Sequence, residues 1–326
     1  MKSLKFGVVG TNFISDWFME ATDRVEGTEV SAVYSRAADT GEAFASRHGI
    51  RNIFTDYRKM LESDIDAVYI ASPTFMHESQ ALAAMEYGKH VLCEKMMAAS
   101  YPAAERMRRC AGERGVVLLE AMRPDFDPAT AAITEAVGRI GRLRRAHLEY
   151  CQYSSRYDRF KAGEVLNAFN PQICNSALAD IGVYPLHFAV RLFGSPKSLA
   201  ARSVLLENGF EGMGQITLEY ADMLVSVVYS KITESATPSV IEGEGGSVIF
   251  DRINSPTELW LKLRGREAER LHFDRVDKNM SCEVEAFRDM VAGRLDSAPH
   301  LDATLETVRI AHAAYVETGA IEYMNL

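Results

Sequence analysis

The chain has 326 residues, of which 47% are hydrophobic and 25% charged, the composition of an ordinary globular protein long enough for two domains. A formal charge of -9 with only short basic runs argues against a general binder of phosphate backbones, and no window approaches the ~18 consecutive apolar residues of a membrane span, so neither nucleic acid nor membrane is expected as a partner. Cysteines 93, 110, 151, 174 and 282 form no C-x-x-C pair and no cluster with histidine, so neither a disulfide framework nor a metal site is signalled.

The start, Met1-Lys2-Ser3-Leu4-Lys5, runs into a strand-like segment without the pattern of a secretory leader, and the expected compartment is the cytoplasm. Strands are predicted over 4–10, 29–35, 67–72, 90–95 and 116–122, with helices over 13–24, 38–48, 76–87 and 101–114 between them. That alternation implies a doubly wound parallel sheet with right-handed crossovers, over residues 1–122. Past Pro128 the rhythm changes. A helix over 129–137 precedes a strand over 143–154, a polar, aromatic-rich loop and a helix over 177–193. Strands over 213–220, 223–232, 239–242, 247–251 and 259–263 follow, then helices over 282–292 and 303–318. Successive strands predict an α+β domain, 123–326, with an open, mostly antiparallel sheet.

The first strand turns at Gly10-Thr11-Asn12-Phe13-Ile14-Ser15, in the register of the dinucleotide fingerprint G-x-G-x-x-G, with only the first glycine kept. Asn12 tolerates left-handed backbone, Ser15 is small, and the helix start favours an anion. The second strand ends Val33-Tyr34-Ser35-Arg36, where a hydroxyl and a guanidinium suit a 2′-phosphate better than a free ribose hydroxyl, so NADP is expected over NAD. Next come Ala71-Ser72-Pro73-Thr74-Phe75-Met76-His77, in which proline stops the strand, and Gly88-Lys89-His90-Val91-Leu92-Cys93-Glu94-Lys95, which sets an acid and a lysine at a strand end. In an open parallel sheet, ligands sit just outside such ends.

These segments, in this order, resemble the glucose-fructose oxidoreductase, inositol dehydrogenase and rhizopine-catabolism (Gfo/Idh/MocA) family. The resemblance implies nucleotide contacts from Gly10 to Ile14, Ser35, Arg36, Ser72, Pro73, Thr74, His77, Glu94 and Lys95, with Lys95 catalytic and His77 bracing the loop. Thr74 stands in place of the family's asparagine, and Met96 in place of the proline after the lysine, a change expected to loosen the turn. Downstream, Asp180-Ile181-Gly182-Val183-Tyr184-Pro185-Leu186-His187 resembles the family's D-x-G-x-(H/Y)-x-x-(D/H) segment, in the version that looks like dimeric dihydrodiol dehydrogenases and sugar or anhydrosugar reductases. By that resemblance Tyr184 donates the proton, Asp180 orients the lysine or the substrate, and His187 lies behind or against the substrate. A phenol with its ordinary pKa of about 10 needs a cation nearby to act near neutrality, and Lys95 is the expected one. Pro185 implies that the helix begins or bends there. Glu120-Ala121-Met122-Arg123 resembles the family's E-A-M-W with Arg123 in place of the tryptophan, where it is a substrate contact or an interdomain salt bridge, and Asn175, Tyr157 and Arg156 are further candidates to line the same cleft.

The implied activity is reversible hydride transfer between NADP, with NAD as the second choice, and a carbinol or carbonyl of a sugar, polyol or related small molecule, in a homodimer or homotetramer. Its rivals are a redox-neutral enzyme with tightly held nucleotide and a non-catalytic nucleotide sensor.

Overall fold

The computed structural model describes residues 3–164 and 166–325; Met1 and Lys2, on which part of the leader expectation rests, lie outside them. The chain divides into two units: residues through Arg123 together with Lys278–Leu305, and Pro124–Asp277 together with the residues from Glu306 on.

The first unit is built on β1 (Leu4–Val9), β2 (Thr28–Tyr34), β3 (Asn52–Phe54), β4 (Ala67–Ile70), β5 (His90–Cys93) and β6 (Leu118–Glu120), with α1 (Phe13–Thr22), α2 (Ala38–His48), α3 (Tyr57–Leu61), α4 (His77–Glu86) and α5 (Tyr101–Arg114) between them. All its strand pairs are parallel, in the order β3-β2-β1-β4-β5-β6. The order reverses between β1 and β4, and in open parallel sheets ligands bind outside the carboxyl ends of the strands at such a reversal. Sheet residues are covered on both faces, which explains why β4 is a continuous apolar run, Ala67-Val68-Tyr69-Ile70, with every residue buried. The elements β3 and α3 lie where no element was predicted; at 3 and 5 residues they are too short to show a period.

The expected boundary after residue 122 meets a second difference. Lys278–Leu305, which carries α9 (Met280–Val291), groups with the first unit. Its apolar stripe, Val284, Phe287 and Met290, is buried, and Phe287 lies 5.7 Å from Phe6 in β1. A helix distant in sequence thus covers one face of the nucleotide-type sheet.

In the second unit, α6 (Pro128–Val137) and β7 (Leu143–Cys151) precede α7 (Tyr157–Lys161), which together with short 3-10 turns gives form to the predicted polar loop. After α8 (Val183–Phe193) come β8 (Ser198–Leu205), β9 (Glu211–Glu219), β10 (Leu224–Ser230), β11 (Ser239–Gly243), β12 (Gly246–Phe250), β13 (Leu259–Leu263) and β14 (Ala268–Arg270). Their order is β14-β13-β12-β11-β7-β10-β9-β8, and every pair is antiparallel except β7 with β10. Both β8 and β14 are additions to the predicted strands; alternate residues of β8 and all of β14 are exposed, so neither shows an apolar run. Helix α8 packs on β7 and β10 through an apolar face that includes Leu186 and Val190. The last helix, α10 (Ala298–Thr318), contributes to the first unit up to Leu305 and to the second from Glu306. No helix among the described residues is long and apolar enough to cross a membrane.

Candidate active site

In the first unit, the turn after β1 brings Gly10 to φ +102°, and a Cβ there would stand 2.9 Å from the Ala71 carbonyl oxygen after β4. Glycine is required by both the dihedral angle and the close approach. Asn12 differs from expectation: its backbone is extended (φ -86°, ψ 178°), a conformation open to any residue, and its side chain acts instead as the N-cap of α1. Asn12 Oδ1 accepts from the Ile14 and Ser15 N–H groups, at 3.0 and 3.4 Å, and Nδ2 donates to Ala71 O at 2.9 Å. A capping side chain thus replaces the second glycine and ties the turn to the β4 end. Thr11 and Phe13 take no part in this cap, and Phe13 and Trp17 form an exposed edge-to-face pair, 5.7 Å apart. Ser15 is fully buried, as the third fingerprint position demands for close packing of helix and strand.

At the end of β2, the Ser35 and Thr40 hydroxyls hydrogen-bond at 2.6 Å. The Arg36 side chain is exposed and makes no ion pair or hydrogen bond among the described residues. The N-cap of α2, Ala37, supplies no side-chain cap, and Thr40 N donates to Asp39 Oδ1 at 2.8 Å in the first turn of this helix. Two hydroxyls and a guanidinium thus stand close together in sequence after the end of β2.

After β4, Ser72 Oγ donates to Gln80 Oε1 at 2.6 Å, and Pro73 leads into the 3-10 turn Thr74–Met76. His77 is buried, with Nε2 2.8 Å from Ser72 O and Nδ1 3.0 Å from Met96 O. Burial holds its pKa below the ordinary imidazole value. The ring therefore bridges the loop after β4 to the loop after β5. On the other side of that second loop, Glu120 Oε1 accepts from Met97 N at 2.7 Å while Oε2 accepts from Thr304 Oγ1 at 3.1 Å. Lys95 is thus presented from a segment clamped at both following residues. Met96 does not loosen the turn: it is 1% exposed and its carbonyl faces His77. Glu94 is turned inward, accepting from Tyr69 OH at 2.6 Å, and Tyr69 stacks on Phe18. Arg123 donates to Asn279 Oδ1 at 3.1 Å, and its guanidinium lies 6.0 Å from the Trp17 ring centre.

In the second unit the segment singled out as D-x-G-x-Y begins as a π-turn, Leu178–Gly182, and continues as α8, so the helix predicted from 177 is widened over its first five residues. Such widenings cluster at functional sites. Pro185 lies three residues past Gly182, close to where the π-turn passes into α8, and removes one donor from the continuous helix there. Asp180 pairs with Lys231 at 2.8 Å. Tyr184 is 7% exposed and packs on Tyr150, ring centres 5.7 Å apart. His187 is buried between Asp125 and Thr307, with its nitrogens 3.1 and 3.2 Å from them, so both ring edges are engaged by protein groups. Asn175 donates to Asn167 O at 3.1 Å, and Tyr157 stacks on Phe160 and Phe169. These last two residues brace the loop before the π-turn. Asp180, Tyr184 and His187 come together on one segment of the second unit, whereas Lys95 and the nucleotide-type residues belong to the first. Among the described residues no group of three His, Cys, Asp or Glu side chains is placed to hold a metal ion.

Two residues beneath the π-turn were not singled out from sequence. Lys231 follows the apolar strand β10 directly, the same strand-end position as Lys95, and that position was the signal available. Glu211, at the start of β9, left no local signal. It is fully buried, accepting from Leu178 N at 3.1 Å and from Tyr229 OH at 2.8 Å, and burial pushes its pKa from 4.5 up to about 7. A carboxyl whose folded pKa is raised contributes its full share of stability below pH 4.5, and loses it as pH rises through about 7. The loss corresponds to about 3 kcal/mol for a shift of this size. Urea unfolding of Glu211→Gln is expected to show a much flatter change in stability between pH 5 and pH 8 than the parent. Parallel curves for the two proteins would reject this assignment.

Comparison with known proteins places these features in a family. Residues 4–122 match the model of the oxidoreductase family with an NAD-binding Rossmann fold (GFO/IDH/MocA), and residues 131–249 match the GFO/IDH/MocA C-terminal domain. The chain is 38% identical to the scyllo-inositol 2-dehydrogenase (NADP(+)) IolU of Bacillus subtilis over 98% of both chains. It is 26% identical to the trans-1,2-dihydrobenzene-1,2-diol dehydrogenase of Mus musculus over 79% of this chain and 77% of the relative. Among solved structures, the aldose-aldose oxidoreductase from Caulobacter crescentus superposes with a TM-score of 0.85 at 19% identity, over 98% of both chains, and shares the fold.

Proposed function

Because the chain belongs to the GFO/IDH/MocA oxidoreductase family, we propose that it catalyses reversible, NADP-dependent hydride transfer at a ring carbinol of a cyclic polyol or sugar. The observation that carries this reading is the clamped loop after β5, in which His77 and Glu120 hold the residues that follow Lys95. A lysine on a loop fixed from two sides is preorganised, and preorganisation is what a catalytic group needs. The substrate class follows the relative of 38% identity, which is named as a scyllo-inositol dehydrogenase.

Gly10, Thr11, Asn12 and Phe13 at the glycine turn fit a pyrophosphate, and Ser35, Arg36 and Thr40 fit a 2′-phosphate. Bound NADP supplies the acceptor or donor of the hydride. In this reading Tyr184 takes the carbinol proton during oxidation and returns it during reduction, while the Lys95 ammonium stabilises the developing alkoxide. Asp180 accepts a hydrogen bond from a neighbouring substrate hydroxyl, and the residues around it form the substrate side. A homodimer or homotetramer is proposed through the sheet face opposite α8, where Leu224 is 53% and Val204 49% exposed.

Steady-state oxidation of scyllo-inositol with NADP and with NAD, by the parent and by Arg36→Ala, tests the function and the cofactor preference together. One NADPH is expected per polyol oxidised, which also separates this reading from a redox-neutral enzyme that recycles its nucleotide. Loss of a charge-assisted fork on a phosphate, at about 1.5–3 kcal/mol, should raise the KM for NADP about tenfold or more in Arg36→Ala and leave the KM for NAD nearly unchanged. An unaltered KM for NADP would reject the role of Arg36.

A further inference from the structure

We propose that Lys231 is a positioning residue of this reaction, holding Asp180 as an ionised, correctly aimed acceptor for a substrate hydroxyl; this rests on the polyol reading above. The lysine is fixed by its backbone first. Its N–H donates to Gly212 O at 2.9 Å, and its carbonyl accepts from Ser154 N at 2.9 Å, so the residue is stitched to the strand-end region on both sides of β10. The residue as a whole is buried. Its ammonium lies 4.9 Å from the Phe169 ring centre and 5.2 Å from that of Phe210, and it donates to Ala168 O at 2.6 Å.

Aromatic faces and one carbonyl stabilise an ammonium but do not neutralise it, and a buried cation demands a counter-charge. Asp180 supplies it at 2.8 Å. The exposures of the two side chains are unequal: 4% for Lys231 and 38% for Asp180. The ammonium is therefore sealed inside, while the carboxylate keeps an accessible flank. With a fixed cation at its back, Asp180 remains an anion, and an anionic carboxylate accepts hydrogen bonds and donates none. That makes it a receptor for a substrate hydroxyl and not the proton donor. The loop seating Lys231 is itself held, because Asn175 donates to Asn167 O and Asn208 Nδ2 donates to Phe169 O at 2.8 Å. Asn175, expected from sequence to touch substrate, reaches the site through this loop.

A double-variant cycle in scyllo-inositol oxidation tests the proposal, with Lys231→Met, Asp180→Asn and the two combined. Each single variant is expected to lose about 100-fold in kcat/KM for the polyol, with a raised polyol KM and an NADP KM within twofold of the parent. The combined variant should be within threefold of Asp180→Asn, since one residue acts through the other. Losses that multiply, or a Lys231→Met enzyme with parental kcat/KM in an active background, overturn the proposal and leave the polyol reading standing. If Lys231→Met fails to fold because Asp180 is left unneutralised, the combined variant removes both charges and is compared with Asp180→Asn alone. A further tenfold loss there overturns the proposal, and equality supports it. A parent without polyol turnover overturns the function reading and this proposal together.

Discussion

Lys95→Met is expected to lower kcat for polyol oxidation by about 1,000-fold while NADPH affinity changes by less than about threefold. Removing a charged group that assists proton transfer and stabilises a developing alkoxide costs this much in comparable sites. The nucleotide contacts proposed above fall on other residues, those of the Asn12-capped turn and the Ser35–Thr40 pair, so binding should survive. Methionine keeps the length of the side chain, and the loop retains its clamps from His77 to Met96 O and from Met97 N to Glu120, so misfolding is not the expected cause of the loss. Turnover assays beside nucleotide fluorescence titration make the check. A variant that keeps a tenth or more of the parental kcat would remove Lys95 from the chemistry. Joint loss of turnover and nucleotide binding would instead make it a binding residue.

The second large effect is expected at Gly182, where the π-turn meets β10. A Cβ there would stand 2.6 Å from Tyr229 Cγ, 2.8 Å from its Cδ1 and 3.0 Å from Leu178 Cδ1. Tyr229 is fully buried and tethered through its hydroxyl to Glu211, so the ring has little room to yield. Gly182→Ala should destabilise the second unit by about 3 kcal/mol, the range of overpacked cores. It should also push the turn carrying Asp180 out of place, and a displacement of about 1 Å in a reacting constellation costs about 100-fold in rate. Gly49→Ala, at the C-cap of α2, is the matching control: nothing lies within 4 Å of its added Cβ, and only its φ of +68° opposes the change, at about 1 kcal/mol. Thermal unfolding and turnover of the two variants separate the cases. Gly182→Ala melting within one degree of the parent would show that the turn is not packed as described.

Family and chemistry were legible because their signals are local. A glycine that must turn after β1, a hydroxyl and guanidinium after β2, and an acid-lysine pair after β5 each announce themselves through residue type and position at a strand end. The helices over 38–48 and 101–114 coincide with α2 and α5 because each ends on a glycine with positive φ, Gly49 and Gly115. Asn12 was singled out correctly as a residue of the turn, but for a backbone property it does not use. Its side-chain cap depends on where Ala71 lies, and Ala71 is brought there by the parallel pairing of β1 with β4.

The sequence by itself determined the alternating parallel unit, the run of antiparallel strands and the family. These follow from periodicity and from chemistry that needs only neighbouring residues. Tertiary structure alone decided that α9 completes the first unit, that Glu211 braces the π-turn, and that Lys231 is the partner of Asp180. The physical reason is the same in all three. An apolar stripe or a buried charge must be satisfied by some other surface or counter-charge, and nothing local selects that partner among the chain's 45 acidic and 36 basic side chains.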